Sequence, residues 1–439
     1  MKKCIVIGGG FAGLTSAVYL TKAGFNVELI EASTKLGGRA YSFLDKNTGT
    51  VIDNGQHILM GCYDETLEFI KLIKAEDNFH FQRRLRVIFL KPNFETLILK
   101  SPPVFYPLNL LIGLLNFKAI TFIERIKLLK FILTIPFFSK KKLERMNVSE
   151  WLKKGHQNDN IIKAFWGIIA VGALNTNIEK ASARVFADIL KKIFLRGNSS
   201  ATIVLPAYGL SESYCNHAEK FIEENKGKVI LSETVQSLEI ENEKVKSIIT
   251  SDRNISDFDF IISTVPKYAL EKILPDAVDN KLNINYSSIL SVHIWLKENP
   301  LSEPFYGLID SKVHWIFNHG THITVVISDA NELAEKSKEE IYDIVMHEIE
   351  KYTKVKRELV DQYKIIKEKR ATFIPSNDII KHRPSSRTKL MNLFLAGDWT
   401  DTSLPSTIES AVKSGRTAAE NVISTAFSSN KNTSQKDLK

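Results

Sequence analysis

Cysteine is scarce in this sequence, and long uncharged hydrophobic runs are absent. The three cysteines, Cys4, Cys62 and Cys215, lie far apart, form no C-x-x-C pair and have no histidine-rich tract beside them. This pattern argues against a disulfide framework and a zinc site, so we predict no bound metal and a reducing, cytoplasmic environment. No apolar stretch reaches the roughly 20 residues that a membrane-spanning helix requires, so we expect no such helix.

The sequence also lacks internal repeats, low-complexity linkers and the patterns of helix-turn-helix, zinc-finger or RRM domains, and it predicts no nucleic-acid partner. With 44% hydrophobic and 25% charged residues, its 439 residues can bury a large core and fill two or three domains. The formal net charge of +9 leaves two explanations open. Either the lysines cover a solvated face, or they meet a membrane surface that carries anionic lipid.

The N-terminus has the pattern of a βαβ unit. Apolar residues 3–7 predict a strand, helical spacing predicts a helix over 12–23, and residues 25–31 predict a second strand. Three consecutive glycines, at 8–10, mark the turn between the first strand and the helix. A unit of this kind belongs in a parallel sheet.

The turn carries a dinucleotide-binding motif. Gly8, Gly10 and Gly13 form G-x-G-x-x-G, in which the glycines allow a tight turn, close approach of the backbone to a pyrophosphate, and close packing of helix on strand. The phosphates would then lie at the positive helix end, near Ala12. Glu31 ends the second strand, where a carboxylate accepts hydrogen bonds from ribose hydroxyls and disfavours the 2′-phosphate of NADP.

A second glycine motif, LGGRA at residues 36–40, follows directly. It resembles the GGR turn of the flavin amine oxidase and carotenoid desaturase superfamily, which lies beneath the cofactor phosphates. The resemblance implies that the cofactor is FAD and that Gly38 and Arg39 contact its phosphates. For Arg39 the alternative is a surface salt bridge, although a guanidinium beside a diphosphate favours a charge-assisted contact.

The C-terminal segment, residues 393–416, resembles the second flavin motif of this superfamily. The resemblance implies that Gly397 and Asp398 meet the phosphate and ribityl chain, and that the backbone NH of Ile408 faces the pyrimidine edge of the isoalloxazine. A helix start at that place would stabilise the negative charge of reduced flavin. Val235 matches the adenine-contacting residue of the superfamily, with a plain core position as the alternative.

Two interior segments extend the resemblance. Residues 53–67, DNGQHILMGCYDETL, and 165–212, which include GALNTNIEKASARVFADIL and LPAYGLSE, are similar to the hydroxysqualene dehydroxylases, formerly described as squalene-associated FAD-dependent desaturases. The similarity runs from residue 1 to about residue 423. It implies reductive dehydroxylation of hydroxysqualene, a long polyprenyl substrate, to squalene, with oxidation of FADH2. Squalene and hopanoid biosynthesis is the implied context.

Plant-type phytoene and zeta-carotene desaturases are the alternative, because they share a G-x-H segment at residues 55–57 and a GD-type C-terminal motif. Gly55 and Gln56 are assigned to the cofactor site on this likeness. A flavin amine oxidase fits less well, since Trp399 has no clear second member of an aromatic cage. A non-enzymatic flavoprotein is a third class, because FAD binding does not establish turnover.

His57 and Asp53 are the catalytic candidates. The motif of His57 lies near the isoalloxazine in the related enzymes, so this side chain could protonate the departing hydroxide. A structural histidine bonded to the backbone is the alternative. Asp53 could orient His57 or bind the substrate hydroxyl through water, or it could cap a turn ahead of Asn54 and Gly55.

Residues 105–145 interleave apolar and basic side chains. A pair of core helices with lysines on the solvent-exposed face would give this pattern. So would a segment that lies in the membrane interface at the entrance for a polyprene substrate. With a polyprenyl substrate we favour the second explanation, and we expect peripheral attachment to the inner face of the membrane. The resemblance also implies an upstream hydroxysqualene synthase and an unidentified electron donor as partners.

Together these motifs predict an α/β fold, in which a discontinuous FAD-binding Rossmann-type domain, glutathione-reductase-like, carries an inserted α+β substrate domain. A β-meander is expected over 227–265. The predicted segments are 1–75, 205–280 and 388–425 for the FAD-binding domain, 76–204 and 281–387 for the substrate and membrane-facing domain, and 426–439 for a disordered tail.

Overall fold

The computed structural model describes residues 1–275, 277 and 282–434. Within these residues the strands are, in chain order, β1 (Lys3–Ile7), β2 (Asn26–Ile30), β3 (Ser42–Leu44), β4 (Val51–Asp53), β5 (Leu59–Met60), β6 (Phe79–Phe81), β7 (Arg86–Lys91), β8 (Glu95–Lys100), β9 (Ile203–Pro206), β10 (Lys228–Ile230), β11 (Val235–Glu241), β12 (Lys244–Thr250), β13 (Asn254–Ile255), β14 (Phe260–Ser263), β15 (Tyr286–Leu296), β16 (Phe305–Leu308), β17 (Trp315–Asn318), β18 (His322–Ile327), β19 (Val360–Phe373) and β20 (Leu393–Leu395).

The α-helices of the same part of the chain are α1 (Phe11–Lys22), α2 (Asp64–Leu72), α3 (Leu108–Leu115), α4 (Phe122–Thr134), α5 (Lys140–Leu143), α6 (Val148–Lys154), α7 (Asp159–Ile161), α8 (Gly167–Leu174), α9 (Ala183–Leu195), α10 (Asn216–Glu224), α11 (Lys267–Ile273), α12 (Asn331–Ala334), α13 (Lys338–Tyr352), α14 (Asn377–His382) and α15 (Ile408–Ser434).

A parallel sheet with strand order β10-β2-β1-β14-β20 contains the N-terminal motif. Neighbouring strands are parallel throughout, and Cys4 of β1 lies opposite Val27 on one side and Phe260 on the other. Apart from Lys3 and Ser263, the side chains of β1 and β14 are apolar, and those after Lys3 are buried on both faces, as expected of central strands in a parallel sheet. The predicted βαβ unit, made of β1, α1 and β2, is confirmed.

Helices α1 and α15 pack against each other with almost no space between their backbones. A Cβ atom on Gly415 would come within 2.3 Å of the carbonyl oxygen of Ala12, while one on Gly13 would come within 1.9 Å of the carbonyl oxygen of Gly8, in the turn that precedes α1. Ser16 Oγ lies 2.8 Å from the Ala12 oxygen and 3.0 Å from the Gly415 oxygen. Small residues thus let a helix near the C-terminus lie directly on the helix of the N-terminal motif.

A second sheet, with strand order β19-β15-β18-β17-β16-β7-β8, forms the larger layer. Alternate residues of its strands face different cores. On β7, Ile88 and Leu90 belong to the core that includes α13, whereas Val87 and Phe89 belong to the core formed by the helices between β8 and β9. The sheet therefore separates α13 from a larger helical layer.

The end of α8 is tied to this sheet by Asn175, in the ALNT segment. Its backbone has the left-handed conformation, with φ of 47°, that ends the helix. Its Nδ2 donates to Thr372 Oγ1 at 2.9 Å, and its Oδ1 accepts from the backbone NH of Asp329 at 2.8 Å. One side chain thus joins α8 to β19 and to the turn after β18.

The β-meander predicted over 227–265 is wrong at both ends. Only β11, β12 and β13 form an antiparallel meander, whereas β10 and β14 join the parallel sheet. β14 is buried on both faces, and this suits a central parallel strand better than the half-exposed strand of a meander.

The predicted disordered tail begins too early, because α15 extends to Ser434. The rest of that prediction, 435–439, lies outside the described residues. The predicted fold class, a Rossmann-type domain with an α+β insertion, agrees with the parallel sheet and the larger mixed layer. The predicted domain boundaries stay a prediction.

We expect Gly415→Ala to destabilise the protein, because the new Cβ would meet the backbone oxygen of Ala12 and force α1 and α15 apart. Such overpacking lowers the free energy of unfolding by about 1–3 kcal/mol. The matched control is Gly172→Ala in α8, whose new Cβ would have its nearest contact at 3.5 Å. Circular dichroism during thermal unfolding measures both variants. A Gly415→Ala variant as stable as Gly172→Ala would contradict this account of the helix contact.

Candidate functional site

The start of α1 faces the second glycine motif. Gly10 precedes the helix and offers no side-chain cap, so the first backbone NH groups of the helix, around Ala12, remain available to a ligand. Gly10 lies opposite Gly37 in an isolated parallel bridge, and a Cβ on Gly38 would come within 3.2 Å of the Gly10 Cα. Gly8 has a φ of +103°, which strongly favours glycine. The two turns form a cradle of backbone NH groups that suits a diphosphate.

Glu31 lies beside this cradle with its carboxylate fixed. The backbone NH groups of Gly9 and Ser33 donate to its two oxygens at 2.6 and 2.8 Å. The backbone oxygen of Glu31 accepts from the NH of Glu233 at 3.1 Å, so the start of β11 lies next to it. Val235 is buried at that start. The predicted ribose and adenine contacts are therefore neighbours in the fold.

The two flavin motifs meet in an ion pair between Arg39 and Asp398. Arg39 Nη2 donates to Asp398 Oδ1 at 2.6 Å, and Nη1 donates to the carbonyl oxygen of Ala371 at 2.7 Å. Burial alone would raise the pKa of Asp398, but the Arg39 guanidinium and the Ser406 hydroxyl hold that pKa below its ordinary value. Arg39 thus forms a salt bridge with a buried partner and not a surface salt bridge, and this pair joins the two predicted cofactor segments.

Asp398 also contacts the segment that leads into α15. Its Oδ2 accepts a hydrogen bond from Ser406, which is buried just before the helix begins at Ile408. Gly397 has a φ of +124°, and its backbone NH donates to Ser414 Oγ at 2.8 Å. The predicted Gly397, Asp398 and Ile408 are therefore brought together at one helix start.

Arg383 is a residue of this region that the sequence analysis missed. It is buried, and its guanidinium donates to the carbonyl oxygens of Leu404, Asp398 and Thr400 and to Thr402 Oγ1. Burial lowers its pKa to about 10, which leaves it protonated at neutral pH. No glycine motif or periodic pattern in the sequence marks Arg383, and only its hydrogen bonds in the fold show that it holds the loop before α15.

Asp53 does not contact His57. Its Oδ1 accepts from Ser42 Oγ at 2.6 Å and from the backbone NH of Leu210 at 2.9 Å, and burial raises its pKa. Leu210 belongs to the LPAYGLSE segment, so Asp53 joins β4 to β3 and to that segment. The predicted orientation of His57 by Asp53 is wrong, because Asp53 ends β4 with its carboxylate committed to these partners. The contacts favour a structural role.

His57 follows the turn at Gly55 and Gln56, between β4 and β5. Its Nδ1 lies 2.7 Å from the carbonyl oxygen of Gly55. Burial lowers the pKa of His57 to about 4, and the charge of Arg39 adds to this effect. The ring is therefore neutral at pH 7, with the proton on Nδ1 and an accepting Nε2. As an imidazolium acid, the role predicted for it, it would be almost unpopulated.

These residues fit an FAD cofactor. The glycine cradle at α1 would take the diphosphate, Glu31 the adenosine ribose, and the start of α15 the pyrimidine edge of the isoalloxazine. Side chains at Gly10 or Gly38 would fill the cradle. The predicted cofactor contacts of individual residues stay a prediction.

Comparison with known proteins agrees with this site. The family model described as flavin containing amine oxidoreductase matches residues 11–423. The hydroxysqualene dehydroxylase of Zymomonas mobilis subsp. mobilis is 28% identical over 425 residues, which cover 95% of this chain and 98% of that protein. The 15-cis-phytoene desaturase of Glycine max is 24% identical, over 95% of this chain and 79% of that protein.

The solved structure of an oxidoreductase from Methanosarcina mazei has a TM-score of 0.75 and 18% sequence identity, and the match covers 95% of this chain and all of that one. The likeness concerns the fold. With the family match, it confirms the predicted fold class and the prediction that the protein is an FAD-dependent oxidoreductase.

Arg383→Met should weaken FAD binding, because the loop before α15 would lose the donor that holds several of its oxygens. We expect the dissociation constant to rise about tenfold or more, and the free energy of unfolding to fall by about 3 kcal/mol. Flavin fluorescence titration of the apoprotein and urea unfolding measure the two effects. Arg387→Met removes an exposed arginine nearby and should change neither. Equal FAD affinities for the two variants would show that Arg383 does not support the cofactor site.

Proposed function

This chain belongs to the flavin containing amine oxidoreductase family, and we propose that it acts as a hydroxysqualene dehydroxylase. In this reaction the carbon–oxygen bond of the allylic alcohol breaks, the oxygen leaves as water, and squalene forms. When bound, reduced FAD supplies the hydride for the new carbon–hydrogen bond.

The observation that carries the proposal is the likeness, over nearly the whole of both chains, to a hydroxysqualene dehydroxylase. The phytoene desaturase is less similar, at 24% identity against 28%. Carotenoid-type desaturation is therefore the second candidate, and amine oxidation ranks below both.

Arg39, Asp398 and the start of α15 would hold the cofactor for this reaction. Arg39 is fixed by Asp398 and by the Ala371 carbonyl oxygen, and it keeps further NH donors for a phosphate. The helix start at Ile408 supplies a positive dipole end, which stabilises negative charge on a reduced flavin.

His57 would position the leaving hydroxyl and not protonate it. Its Nδ1 is engaged by Gly55, so Nε2 is left as an acceptor for the hydrogen of a substrate hydroxyl. Because its pKa is low, His57 rarely carries the additional proton that the departing oxygen requires. That proton must then come from elsewhere.

We also propose that the outer surface of residues 105–145 binds a membrane surface. The inward side chains of α4, such as Leu128 and Phe131, lie in the core, as the core-helix explanation requires. Large apolar side chains are nevertheless exposed along the segment, namely Phe105, Phe122, Ile123, Leu133 and Phe137. Exposed lysines lie among and after them, namely Lys127, Lys130, Lys140, Lys141 and Lys142.

Apolar side chains beside lysines suit an anionic lipid interface, where a polyprene could enter the protein. Among the residues that the structure describes, none of the helices combines the length and apolarity needed to cross a bilayer. We therefore propose peripheral attachment.

The reaction is tested with purified enzyme whose FAD is photoreduced without oxygen and mixed with hydroxysqualene. We expect squalene in the organic extract by mass spectrometry, in step with reoxidation of the flavin. Oxidised enzyme with phytoene is the parallel sample. Reduction of its flavin by phytoene, without squalene in the first sample, would favour the desaturase.

Replacing Phe122 and Ile123 together by serine should weaken binding to anionic liposomes, because it removes two exposed apolar side chains, which are 64% and 69% accessible. We expect a loss of about tenfold or more in flotation assays at low salt. Ile240→Ser, which changes an exposed isoleucine of β11, is the matched control. Failure of the unmodified protein to bind these liposomes would contradict membrane attachment.

A further inference from the structure

One face of β15 carries polar side chains toward the His57 turn. Leu290, Val292 and Ile294 belong to the core that includes α13, so the residues between them face the other way. On that face Trp295 Nε1 donates to Thr50 Oγ1 at 3.1 Å, His293 lies against the backbone of Asp53, and Ser291 faces Gly55.

Of the contacts on this face, the one between Ser291 and Gly55 lies nearest to His57, where the substrate hydroxyl is proposed to bind. A Cβ placed on Gly55 would lie 3.8 Å from Ser291 Oγ and 3.8 Å from His57 Cε1. Ser291 is therefore close to the turn that carries His57. It is 1% exposed, and its hydroxyl has no hydrogen-bond partner within the described part of the protein.

Thr324 connects this face to the surface. Its Oγ1 lies 3.0 Å from His293 Nδ1 and 3.1 Å from His319 Nε2, so one hydroxyl bridges two imidazoles. Thr324 and His293 are buried, whereas His319 is exposed in the turn between β17 and β18. The three side chains form a hydrogen-bonded chain from solvent to the interior.

The inner end of the hydrogen-bonded chain lies at the backbone of Asp53. His293 Nε2 faces that backbone without a well-aligned hydrogen bond, and the buried Ser291 Oγ has no hydrogen-bond partner among the described residues. A buried polar group without a partner costs free energy, so such groups usually bind an ordered water. His293 Nε2 and Ser291 Oγ lie on one face of β15 near the His57 turn. They could bind water between the hydrogen-bonded side chains and the reacting hydroxyl.

We propose that His319, Thr324, His293 and Ser291 form a proton path from solvent to the hydroxyl that leaves the substrate beside His57. The inference rests on the proposed dehydroxylation, whose departing oxygen needs one proton to leave as water. His319 takes this proton from solvent and donates from Nε2 to Thr324. Thr324 donates to His293 Nδ1, and the Nε2 proton of His293 passes to water at Ser291 and then to the oxygen.

The chemistry of these groups suits a relay. An imidazole accepts a proton at one nitrogen while it releases one from the other, and a hydroxyl both donates and accepts. Burial lowers the pKa of His293 to about 4, and loss of solvent around the ring also lowers the pKa of His319 to about 4. Both rings are therefore neutral at rest, and each passes a proton on without retaining it.

The other titratable groups facing His293 are His322, Lys364 and Asp45. His322 stacks on the His319 ring with centroids 4.5 Å apart, and burial lowers its pKa to about 3. Lys364 is paired with Asp45 beside the sheet edge, so their charges largely offset each other at His293. Asp53, whose backbone lies against His293, has its carboxylate bound to Ser42 Oγ and to the backbone NH of Leu210.

Thr324→Val tests the path, because valine keeps the volume and removes the bridging hydroxyl. We expect squalene formation in a single turnover to slow at least tenfold, and its solvent deuterium isotope effect to increase, because proton delivery becomes limiting. Thr321→Val, in the same turn as His319, is the matched control and should behave as the unmodified enzyme. His319→Gly should also be slow, and imidazole in the buffer should restore its rate.

A second readout does not depend on turnover. With the imidazole rings labelled with carbon-13, Thr324→Val should shift the NMR signals of His293 and His319, and Thr321→Val should leave them in place. Unchanged rate, isotope effect and signals in Thr324→Val would overturn the path while leaving the dehydroxylation intact. If the unmodified enzyme forms no squalene, the proposed function fails, and the path to a leaving hydroxyl fails with it.

Discussion

The ion pair between Arg39 and Asp398 is the contact on which the candidate site depends. It links two turns that are 359 residues apart in the sequence. Each turn alone is a short glycine-containing loop, but the pair fixes their distance and so places the α1 cradle relative to the start of α15. Because Asp398 is buried, loss of Arg39 would leave a carboxylate without its charged partner, a costly state. Arg383 and Ser406 then stabilise the same loop from its other side.

The sequence alone predicts well those features whose physical reason lies within a few neighbouring residues. Gly8, Gly10 and Gly13 lie within six positions of one another, and each has a steric reason that does not require knowledge of distant contacts. Arg383 has no such local reason, since its partners are carbonyl oxygens of a loop that only the fold brings to it. The same limit explains Asp53, whose nearness to His57 in sequence predicted a contact that its bonds to Ser42 and Leu210 prevent.

Strand periodicity had a comparable limit. It located β10 and β14 as strands, but spacing does not tell which sheet a strand joins. The polar face of β15 could be read from the sequence as alternation, SVHIW, yet the alternation does not say what covers either face. The fold packs residues 50–55 on Ser291, His293 and Trp295. This packing places the polar face of β15 between the surface and the His57 turn.

The contact between α1 and α15 also has a consequence for biosynthesis. The glycine cradle is synthesised well before the helix that lies on it, and well before Asp398 beside that helix. A nascent chain therefore carries the N-terminal motif for a time without the surface that completes it, and the FAD site can close only once α15 has been synthesised. Until then the face of α1 that meets α15 remains uncovered, so the abundance of free FAD when α15 docks would affect how much of the protein reaches the native state.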